Sequence, residues 1–201
     1  MFYKFPIKRF CDLFFSIVFL IILSPLLIFV GFINFIFQGR PIFFKQKRPG
    51  YRGKIFTLIK FRTMKLANDS LTNDEKRLTS FGRFLRKTSL DELPSLINIL
   101  KGELSFVGPR PLLMKYIPRY SKYQIKRHDV KPGLTGLAQI NGRNLVSWDE
   151  RLNYDVYYVN NQSFLLDLKI LLLTFIVILK REGISPNGSE IMPEFNPKRI
   201  D

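Results

Sequence analysis

A long apolar segment near the N-terminus constrains this chain more than any other feature. Residues 13–37 carry no charged side chain. As one α-helix, about 25 residues extend roughly 37 Å, which is enough to cross the hydrocarbon core of a bilayer. The segment is too long for the apolar core of a cleavable signal, and it runs on into a basic segment where a cleavage site would be expected. The sequence therefore predicts a membrane-inserted segment that stays in the mature protein.

Two details favour a segment that enters the membrane and returns to the same side. Basic residues flank the apolar run on both sides, so the cytoplasmic preference of Lys and Arg acts on both ends. Ser24-Pro25 lies at the middle, where Pro25 lacks a helical N–H and bends the helix, while the Ser24 hydroxyl can bond the carbonyl of Leu20 or Ile21. The alternative is a proline-kinked spanning helix with a short translocated N-terminus.

The rest of the composition excludes several classes of protein. The net charge of +16 requires anionic partners, and a hydrophobic content of 46% is too high for a disordered basic tail. One cysteine, Cys11, and one histidine, His128, exclude an intrachain disulfide and a Cys/His zinc site. Because His128 lies in a Lys-Arg-His-Asp context, we expect an ordinary exposed side chain. At 201 residues the chain has room for one compact domain and one membrane element.

The order of apolar and turn-forming residues predicts further elements. Segments 42–47 and 54–61 are rich in Ile and Phe and are separated by the turn Arg48-Pro49-Gly50-Tyr51, so they predict a β-hairpin. Apolar spacing predicts two helices within 80–100, divided near Pro94. The remaining predictions are a loop at 68–75, a helix at 112–123, a Gly-rich loop at 131–144 and an interfacial or buried helix at 164–179.

These elements predict an α+β fold that is mostly helical. A re-entrant membrane helix with a central break occupies residues 1–39. A small domain on the cytosolic side, with interfacial amphipathic helices and the short β-hairpin, occupies 40–182, and a C-terminal tail occupies 183–201. No internal repeat and no long linker divides the domain further.

An acidic pair inside a basic stretch is the first candidate for chemistry. Asp91-Glu92 precedes Pro94, a residue that fits the first turn of a helix, where free N–H groups and the helix dipole keep carboxylates ionised. A structural interpretation stays open beside this one. Ser89-x-x-Glu92 has the form of a capping box, and Asp91 could itself be the N-cap.

Two further segments suit a phosphorylated ligand. In Val107-Gly108-Pro109-Arg110-Pro111 two prolines fix the backbone on either side of Arg110, and a rigid guanidinium suits a diphosphate. The alternative is a proline-rich corner with a solvated arginine. Residues 131–143, ending in Arg143, offer backbone N–H groups and amides that are able to read a sugar or a uracil, although ordinary turns share this composition.

Four segments, taken together, resemble the signature segments of the monotopic phosphoglycosyl transferases, a family of bacterial sugar transferases. They are KRFCDLFFSIVFLIILSPLLI, KFRTM, TSLDELPSLINILKGELSFVGPRPLL and KPGLTGLAQINGRN, and the match runs in order from about residue 8 to about residue 180. The chain is similar in length to the smallest members of the family, which include transferases of N,N′-diacetylbacillosamine 1-phosphate.

The resemblance implies a reaction and a set of residues. A sugar 1-phosphate would pass from a UDP-sugar to polyprenyl (undecaprenyl) phosphate with release of UMP, through a covalent phosphosugar on the nucleophile Asp91. The family's Mg²⁺ would be held by Asp91 and Glu92. Further expected positions are the helix break at Ser24 and Pro25 and the phosphate or nucleotide contacts Arg110, Lys60, Arg62 and Arg143.

The resemblance also implies a location and partners. The expected site is the cytoplasmic face of the bacterial inner membrane, in contact with anionic lipid, a UDP-sugar and polyprenyl phosphate. A homo-oligomer and downstream glycosyltransferases are compatible partners, and the sugar is expected to be an N-acetylated amino sugar such as diacetylbacillosamine.

Three rival interpretations can be weighed from the sequence. A membrane-anchored nucleic-acid binder is permitted by the charge, but no helix-turn-helix, RRM or zinc-finger pattern is present. An inactive scaffold of a polysaccharide export complex is opposed by the intact Asp91-Glu92 and Arg110. A conventional glycosyltransferase, which transfers the sugar alone, often holds its metal with Asp-x-Asp, and the sequence lacks that pair.

Overall fold

The computed structural model of the chain describes residues 6–66, 77–142, 146–180 and 194–196. Within these residues the fold is α+β and mostly helical, as the sequence predicts. The helices are α1 (Pro6–Ile22), α2 (Ser24–Gln38), α3 (Ser80–Thr88), α4 (Leu96–Lys101), α5 (Leu137–Ile140), α6 (Trp148–Asn161) and α7 (Phe164–Lys180), and the strands are β1 (Phe43–Pro49), β2 (Ile55–Phe61), β3 (Ser105–Val107) and β4 (Gly133–Thr135).

The apolar N-terminal segment is broken at the predicted position. Helices α1 and α2 are bent by 63° relative to each other, with Pro25 in the first turn of α2. The Ser24 hydroxyl donates to the carbonyl of Ile21 at 2.8 Å, one of the two acceptors expected from the sequence. In the part of the chain that the structure describes, no single helix is long and apolar enough to span a bilayer, and only the bent pair meets that test.

Each of the two N-terminal helices has one side that packs against the protein and one side that is exposed. One side packs on the body of the protein, where Leu20 and Leu23 contact the core around β2 and α4, and Val30 is buried against Phe61. The opposite side exposes large apolar side chains, including Phe10, Phe14, Ile21, Ile28, Phe29, Phe32 and Ile36. This exposed apolar side extends over both helices.

A row of buried polar contacts, here called the polar seam, joins α1 to the body. Lys8 donates to Asp167 of α7, whose other carboxylate oxygen accepts from the Tyr158 hydroxyl at 2.7 Å. Asp12 accepts from the Ser105 hydroxyl at 3.0 Å and from the N–H of Phe106 at 3.1 Å. The polar seam fixes the rotation of α1 about its axis, because a rotation would bury these charges without partners.

The predicted β-hairpin is confirmed, with boundaries shifted by one or two residues. Strands β1 and β2 pair antiparallel from Phe43 opposite Phe61 to Pro49 opposite Ile55. Inward side chains of β2 alternate with outward ones, so Phe56 and Leu58 lie in the core. Strand β2 of the hairpin packs against the segment that carries Asp91 and Glu92.

Two of the secondary-structure predictions were wrong. The helix expected at 112–123 is a short 3₁₀ segment at Met114–Arg119, because Pro118 has no N–H to continue an α-helix. The loop expected at 131–144 contains β4, which pairs parallel with β3, and the short helix α5. Strands of three residues leave no periodic signal, so the sequence pattern could not reveal β3 and β4. The two helices expected within 80–100 are present as α3 and α4.

The last two helices complete the core. Helix α6 begins at a capping box formed by Ser147 and Glu150, a signature in the sequence that our prediction overlooked. Helix α7 confirms the helix expected at 164–179. The predicted loop at 68–75 and most of the predicted tail lie outside the described residues. Of the tail, Phe195 is buried and packs against Tyr116 and Trp148.

His128 is not exposed as expected. Its exposed fraction is 8%, and its ring lies 5.7 Å from that of Tyr120. Burial, and then the charge of Arg127, lower the pKa of His128 to about 4, although a hydrogen bond with the backbone of Gly50 acts in the other direction. The side chain is therefore neutral near pH 7.

Candidate active site

The acidic pair lies in a tight turn between α3 and α4. Ser89 ends α3 with a left-handed backbone (φ 57°), and a 3₁₀ turn at Leu90–Ser95 follows. With three residues per turn, the adjacent side chains of Asp91 and Glu92 point in different directions. The Ser89 side chain makes no capping hydrogen bond. The capping-box interpretation of Ser89-x-x-Glu92 is therefore wrong, and so is the expectation that the pair begins an α-helix.

The turn is fixed to the β-hairpin by side chains that follow the acidic pair. Ser95 donates to the carbonyl of Ile59 at 2.7 Å, and Asn98 bonds both the N–H of Ile59 and the carbonyl of Thr57. Ser95 and Asn98 are fully buried. Hydrogen bonds in a water-free environment hold their geometry well, so the turn and β2 form one rigid unit.

Glu92 is bound by two cations. Its Oε1 atom lies 2.5 Å from Lys60 Nζ and 2.6 Å from an Arg110 nitrogen, while Oε2 is 3.5 Å from the other terminal nitrogen of Arg110. Burial is the largest influence on the pKa of Glu92 and would raise it. The charges and hydrogen bonds of Arg110 and Lys60 together outweigh burial and hold the pKa well below its usual range.

Asp91 differs from its neighbour although it lies in the same turn. Its exposed fraction is 8%, and within the described part of the chain its carboxylate has no hydrogen-bond or ion-pair partner. Burial, and then the charge of Glu92, raise the pKa of Asp91 to about 6, against the attraction of Lys60, Arg110 and Arg86. A largely buried carboxylate that is ionised near pH 7 and has no hydrogen-bond partner is suited to attack an electrophile.

The loop that carries Arg110 is held by backbone hydrogen bonds. These bonds restrict the loop in addition to its two prolines. The N–H of Gly108 donates to the carbonyl of Thr135 at 2.9 Å, and the carbonyl of Pro109 accepts from the N–H of Gly133 at 3.0 Å. The backbones approach so closely that a Cβ on Gly108 would lie 2.4 Å from the carbonyl oxygen of Lys131. Glycine is therefore required at position 108.

Two arginines hold the carbonyls at the end of this loop. Arg127 donates to the carbonyl of Arg110 at 2.7 Å and forms a buried ion pair with Asp155, also at 2.7 Å. Arg48 donates to the carbonyl of Pro111 at 3.1 Å. Arg151, on the same helix as Asp155, is close enough to Arg110 that their repulsion, after burial, helps to lower the pKa of Arg151 to about 10.

The structure brings together four of the residues chosen from the sequence: Asp91, Glu92, Lys60 and Arg110. Arg62 lies elsewhere, since its guanidinium is buried and donates to the carbonyls of Gln38 and Gly39, the latter at 2.9 Å, where it completes the C-terminal end of α2. In this arrangement Arg62 supports the helix rather than the acidic pair. Arg143 lies outside the described residues, and Ser24 and Pro25 are at the helix break.

Sequence reasoning missed Arg48, Arg127 and Arg151 as neighbours of Arg110. The sequence places Arg48 in a turn signal, and the Arg127–Asp155 pair joins residues 28 positions apart. Such a pairing has no local signal in a single sequence. The surplus of basic residues in the composition was the only indication that cations gather at one place.

The acidic pair can be tested as a magnesium site. The described residues contain no group of three or more His, Cys, Asp or Glu side chains that could hold a metal ion. Mg²⁺, however, usually takes one or two protein carboxylates together with substrate phosphates and water. Asp91 fits this requirement because its oxygens are uncommitted, whereas Glu92 offers mainly Oε2, since Oε1 is already bound by Lys60 and Arg110.

Comparison with known proteins gives a consistent result. The bacterial sugar transferase family matches residues 3–181. The chain is 55% identical over 181 residues to the uncharacterized sugar transferase EpsL of Bacillus subtilis, covering 89% of this chain and 90% of that protein. It is 41% identical over 197 residues to the undecaprenyl-phosphate galactose phosphotransferase of Salmonella typhimurium, covering 88% of this chain and 41% of the relative.

A third relative is the UDP-glucose:undecaprenyl-phosphate glucose-1-phosphate transferase of Klebsiella pneumoniae, 41% identical over 180 residues, covering 83% of this chain and 39% of the relative. The chain thus spans about two fifths of the length of the Salmonella and Klebsiella proteins and most of the length of the Bacillus protein. The family match includes the broken helix pair, the acidic turn and the Arg110 loop. This chain belongs to the bacterial sugar transferase family.

Proposed function

We propose that the protein transfers a sugar 1-phosphate from a UDP-sugar to polyprenyl phosphate and releases UMP. The observation that carries the proposal is that the two acids of the pair have different surroundings. Glu92 is neutralised by Lys60 and Arg110, while the buried Asp91 beside it has no partner in the described residues. The Salmonella and Klebsiella relatives, a galactose phosphotransferase and a glucose-1-phosphate transferase acting on undecaprenyl phosphate, support the same reaction class.

In the first half of the reaction, a carboxylate oxygen of Asp91 attacks the phosphorus that bears the sugar. The bond from that phosphorus to the oxygen bridging the two phosphates breaks. The bridging oxygen keeps the bonding electron pair and leaves as part of UMP. Arg110 and Lys60, both already within 2.6 Å of Glu92, supply fixed positive charge beside the attacked phosphate, which lowers the repulsion between two anions.

In the second half, a phosphate oxygen of polyprenyl phosphate attacks the same phosphorus. The bond between phosphorus and the Asp91 oxygen breaks, the carboxylate is regenerated, and the product is a polyprenyl diphosphate sugar. The raised pKa of Asp91 suits both halves, because the side chain is ionised near pH 7 and yet is weakly solvated.

The same proposal places the protein on the cytoplasmic face of the bacterial inner membrane, with α1 and α2 as a re-entrant pair. The exposed apolar side of the helices would lie in lipid, and the basic flanks would meet anionic headgroups, at about 1 kcal/mol for each Lys or Arg near the surface. A site held at the level of the lipid headgroups can bind both a soluble UDP-sugar and the phosphate of a membrane-bound carrier.

For topology, accessibility labelling of both termini in intact vesicles provides the test. Labelling of both termini from the cytoplasmic side supports the re-entrant pair, and termini on opposite sides would exclude it. Pro25→Ala restores the missing helical N–H, and we expect it to increase the fraction of straight, spanning molecules.

Mg²⁺ belongs to the proposal as a cofactor held by Asp91, with a lesser contribution from Glu92. When bound, the ion would neutralise phosphate charge near the Asp91 carboxylate. Removal of divalent ions with EDTA is expected to stop UMP release, and added Mg²⁺ to restore it. Unchanged release in EDTA would remove the metal from the proposal without affecting Asp91.

The sugar is a finer part of the proposal. The sequence resemblance favours an N-acetylated amino sugar such as diacetylbacillosamine, while the Salmonella relative is named for galactose and the Klebsiella relative for glucose. We therefore propose the N-acetylated sugar as the first candidate, with UDP-galactose and UDP-glucose as direct competitors in the same assay. The sugar that gives the largest kcat/KM for UMP release identifies the substrate.

The full-length protein in detergent or vesicles, supplied with polyprenyl phosphate and labelled UDP-sugars, tests the reaction. UMP release supports the proposal, UDP release would indicate transfer of the sugar alone, and no release would indicate a binding role. Incubation without acceptor should leave labelled phosphosugar on the protein. That adduct should be absent from Asp91→Asn.

A further inference from the structure

Positive charge exceeds negative charge around the Arg110 loop. Three carboxylates belong to this cluster: Asp91, Glu92 and Asp155. The cationic side chains around them outnumber these carboxylates. They are Arg48, Lys60, Arg86, Arg110, Arg127 and Arg151. With every group ionised, the cluster carries a surplus of positive charge. Burying such a surplus is unfavourable unless an anion completes the cluster.

Arg48 is the member of the cluster with the clearest lack of a counterion. Its two terminal nitrogens donate to neutral acceptors, the carbonyl of Pro111 at 3.1 Å and the side-chain oxygen of Gln46 at 2.5 Å. Its Nε atom is shielded from solvent and has no partner. Within the described residues, no carboxylate lies within ion-pair distance of Arg48.

Arg48 also contacts the Arg110 loop, because it donates to the carbonyl of Pro111, the residue that follows Arg110. Burial, and then the charge of Arg110, lower the pKa of Arg48 to about 10, which leaves it protonated at neutral pH. A guanidinium held against the loop that carries Arg110 is suited, together with Arg110, to two linked phosphates.

We propose that Arg48 binds the nucleotide-side phosphate of the UDP-sugar, the phosphate that departs as UMP. The inference rests on the proposed function and extends it, because Arg110 and Lys60 are assigned to the phosphate under attack and Arg48 to the leaving group. The diphosphate of a UDP-sugar carries two negative charges, which have the sign needed to offset the positive surplus of the cluster.

The role follows from the chemistry of the first half-reaction. When the bond to the bridging oxygen breaks, that oxygen takes the electron pair, and the UMP phosphate gains one negative charge. A guanidinium beside this phosphate stabilises the charge as it develops and afterwards retains UMP. Arg48 should therefore affect both the use of UDP-sugar and product inhibition by UMP.

Three variants separate charge from structure. Arg48→Gln removes the charge, while its amide N–H can still donate to the carbonyl of Pro111. Arg48→Lys keeps the charge but not the planar group with two parallel donors. Lys47→Gln is the matched control, since Lys47 is the next residue of β1, is exposed and points to the opposite face of the strand.

The measurements are UMP binding by calorimetry, UMP inhibition, and KM for both substrates, with the full-length protein. For Arg48→Gln we expect UMP binding weakened roughly tenfold and KM for UDP-sugar raised by a similar factor. KM for polyprenyl phosphate and the thermal midpoint should stay near those of the wild type. Arg48→Lys should be intermediate, and Lys47→Gln should match the wild type within about twofold.

UMP binding by Arg48→Gln equal to that of Lys47→Gln would overturn the inference, as would a rise confined to KM for polyprenyl phosphate. If Arg48→Gln does not fold, Arg48→Lys decides by the same measurement: weaker UMP binding supports the role and unchanged binding overturns it. If the wild type binds UMP but releases none from any UDP-sugar, the proposed function fails, while the binding data still judge Arg48.

Discussion

The acidic turn (Leu90–Ser95) and the polar seam both bury carboxylates beside cations. The two regions differ in how many of those carboxylates have hydrogen-bond partners. In the polar seam, both oxygens of Asp167 are bound, one by Lys8 and the other by Tyr158, and Asp12 holds two donors of β3. In the acidic turn, Glu92 is bound in the same manner, whereas Asp91 is left without a partner in the described residues.

The comparison indicates which carboxylates are structural and which is available for chemistry. Removing a fully bonded buried carboxylate leaves its cation buried without a partner, which destabilises the fold. An unbonded buried carboxylate costs stability, and such groups persist where the surrounding structure enforces them and a function requires them. The two regions should therefore respond to mutation in opposite ways.

The largest effect is expected at Asp91. Asp91→Asn removes the nucleophile and should lower UMP release by at least about 10³-fold. Because the carboxylate has no partner to strand, the thermal midpoint should not fall, and relief of the repulsion from Glu92 should raise it slightly. Steady-state turnover and a thermal melt of the same preparation check both halves. Wild-type turnover in this variant would end the assignment.

Asp167→Asn should produce the opposite result. It leaves Lys8, which is 7% exposed, without its ion-pair partner, so we expect the free energy of unfolding to fall by about 3 kcal/mol. Protein that remains folded should still form the phosphosugar adduct, because Asp167 is not part of the acidic turn. Denaturant titration in detergent measures the first effect and labelled adduct per folded molecule the second. A stable but inactive Asp167→Asn would remove the contrast between the two regions.

The sequence predicted those parts of the fold that leave a local pattern. The break at Ser24-Pro25, the β-hairpin and the helices α3, α4 and α7 follow from proline chemistry and apolar spacing. The three-residue strands β3 and β4 exist only because they pair with each other, and no local preference predicts them.

The candidate site was predicted unevenly for a related reason. Asp91, Glu92, Lys60 and Arg110 were identified through motifs, and the structure brings them together. The unequal environments of the two acids could not be read from adjacent positions, because burial and the choice of ion-pair partner are set by distant residues. For the same reason Arg62 was expected at the nucleotide, although its guanidinium lies at the end of α2.

The smallest predicted effect is a pH dependence, and it discriminates between the two acids of the turn. The pKa of Asp91 is raised to about 6, and the nucleophile must be ionised, so the rate of adduct formation should increase with pH, about tenfold per unit below pH 6, and level off above it. Glu92 contributes to this raised pKa through repulsion, while Lys60 and Arg110 oppose it but are engaged by Glu92.

Glu92→Gln removes the repulsion and releases both cations toward Asp91, so its pKa should fall and the acid limb of the rate profile should move to lower pH. Single-turnover adduct formation, measured from pH 4.5 to 8 without acceptor, reports this limb apart from the second half-reaction. Asp167→Asn serves as the control, since a change in the polar seam should leave the limb in place. A limb that moves to higher pH in Glu92→Gln, or that does not move at all, would mean that Asp91 is not the group whose ionisation controls the attack.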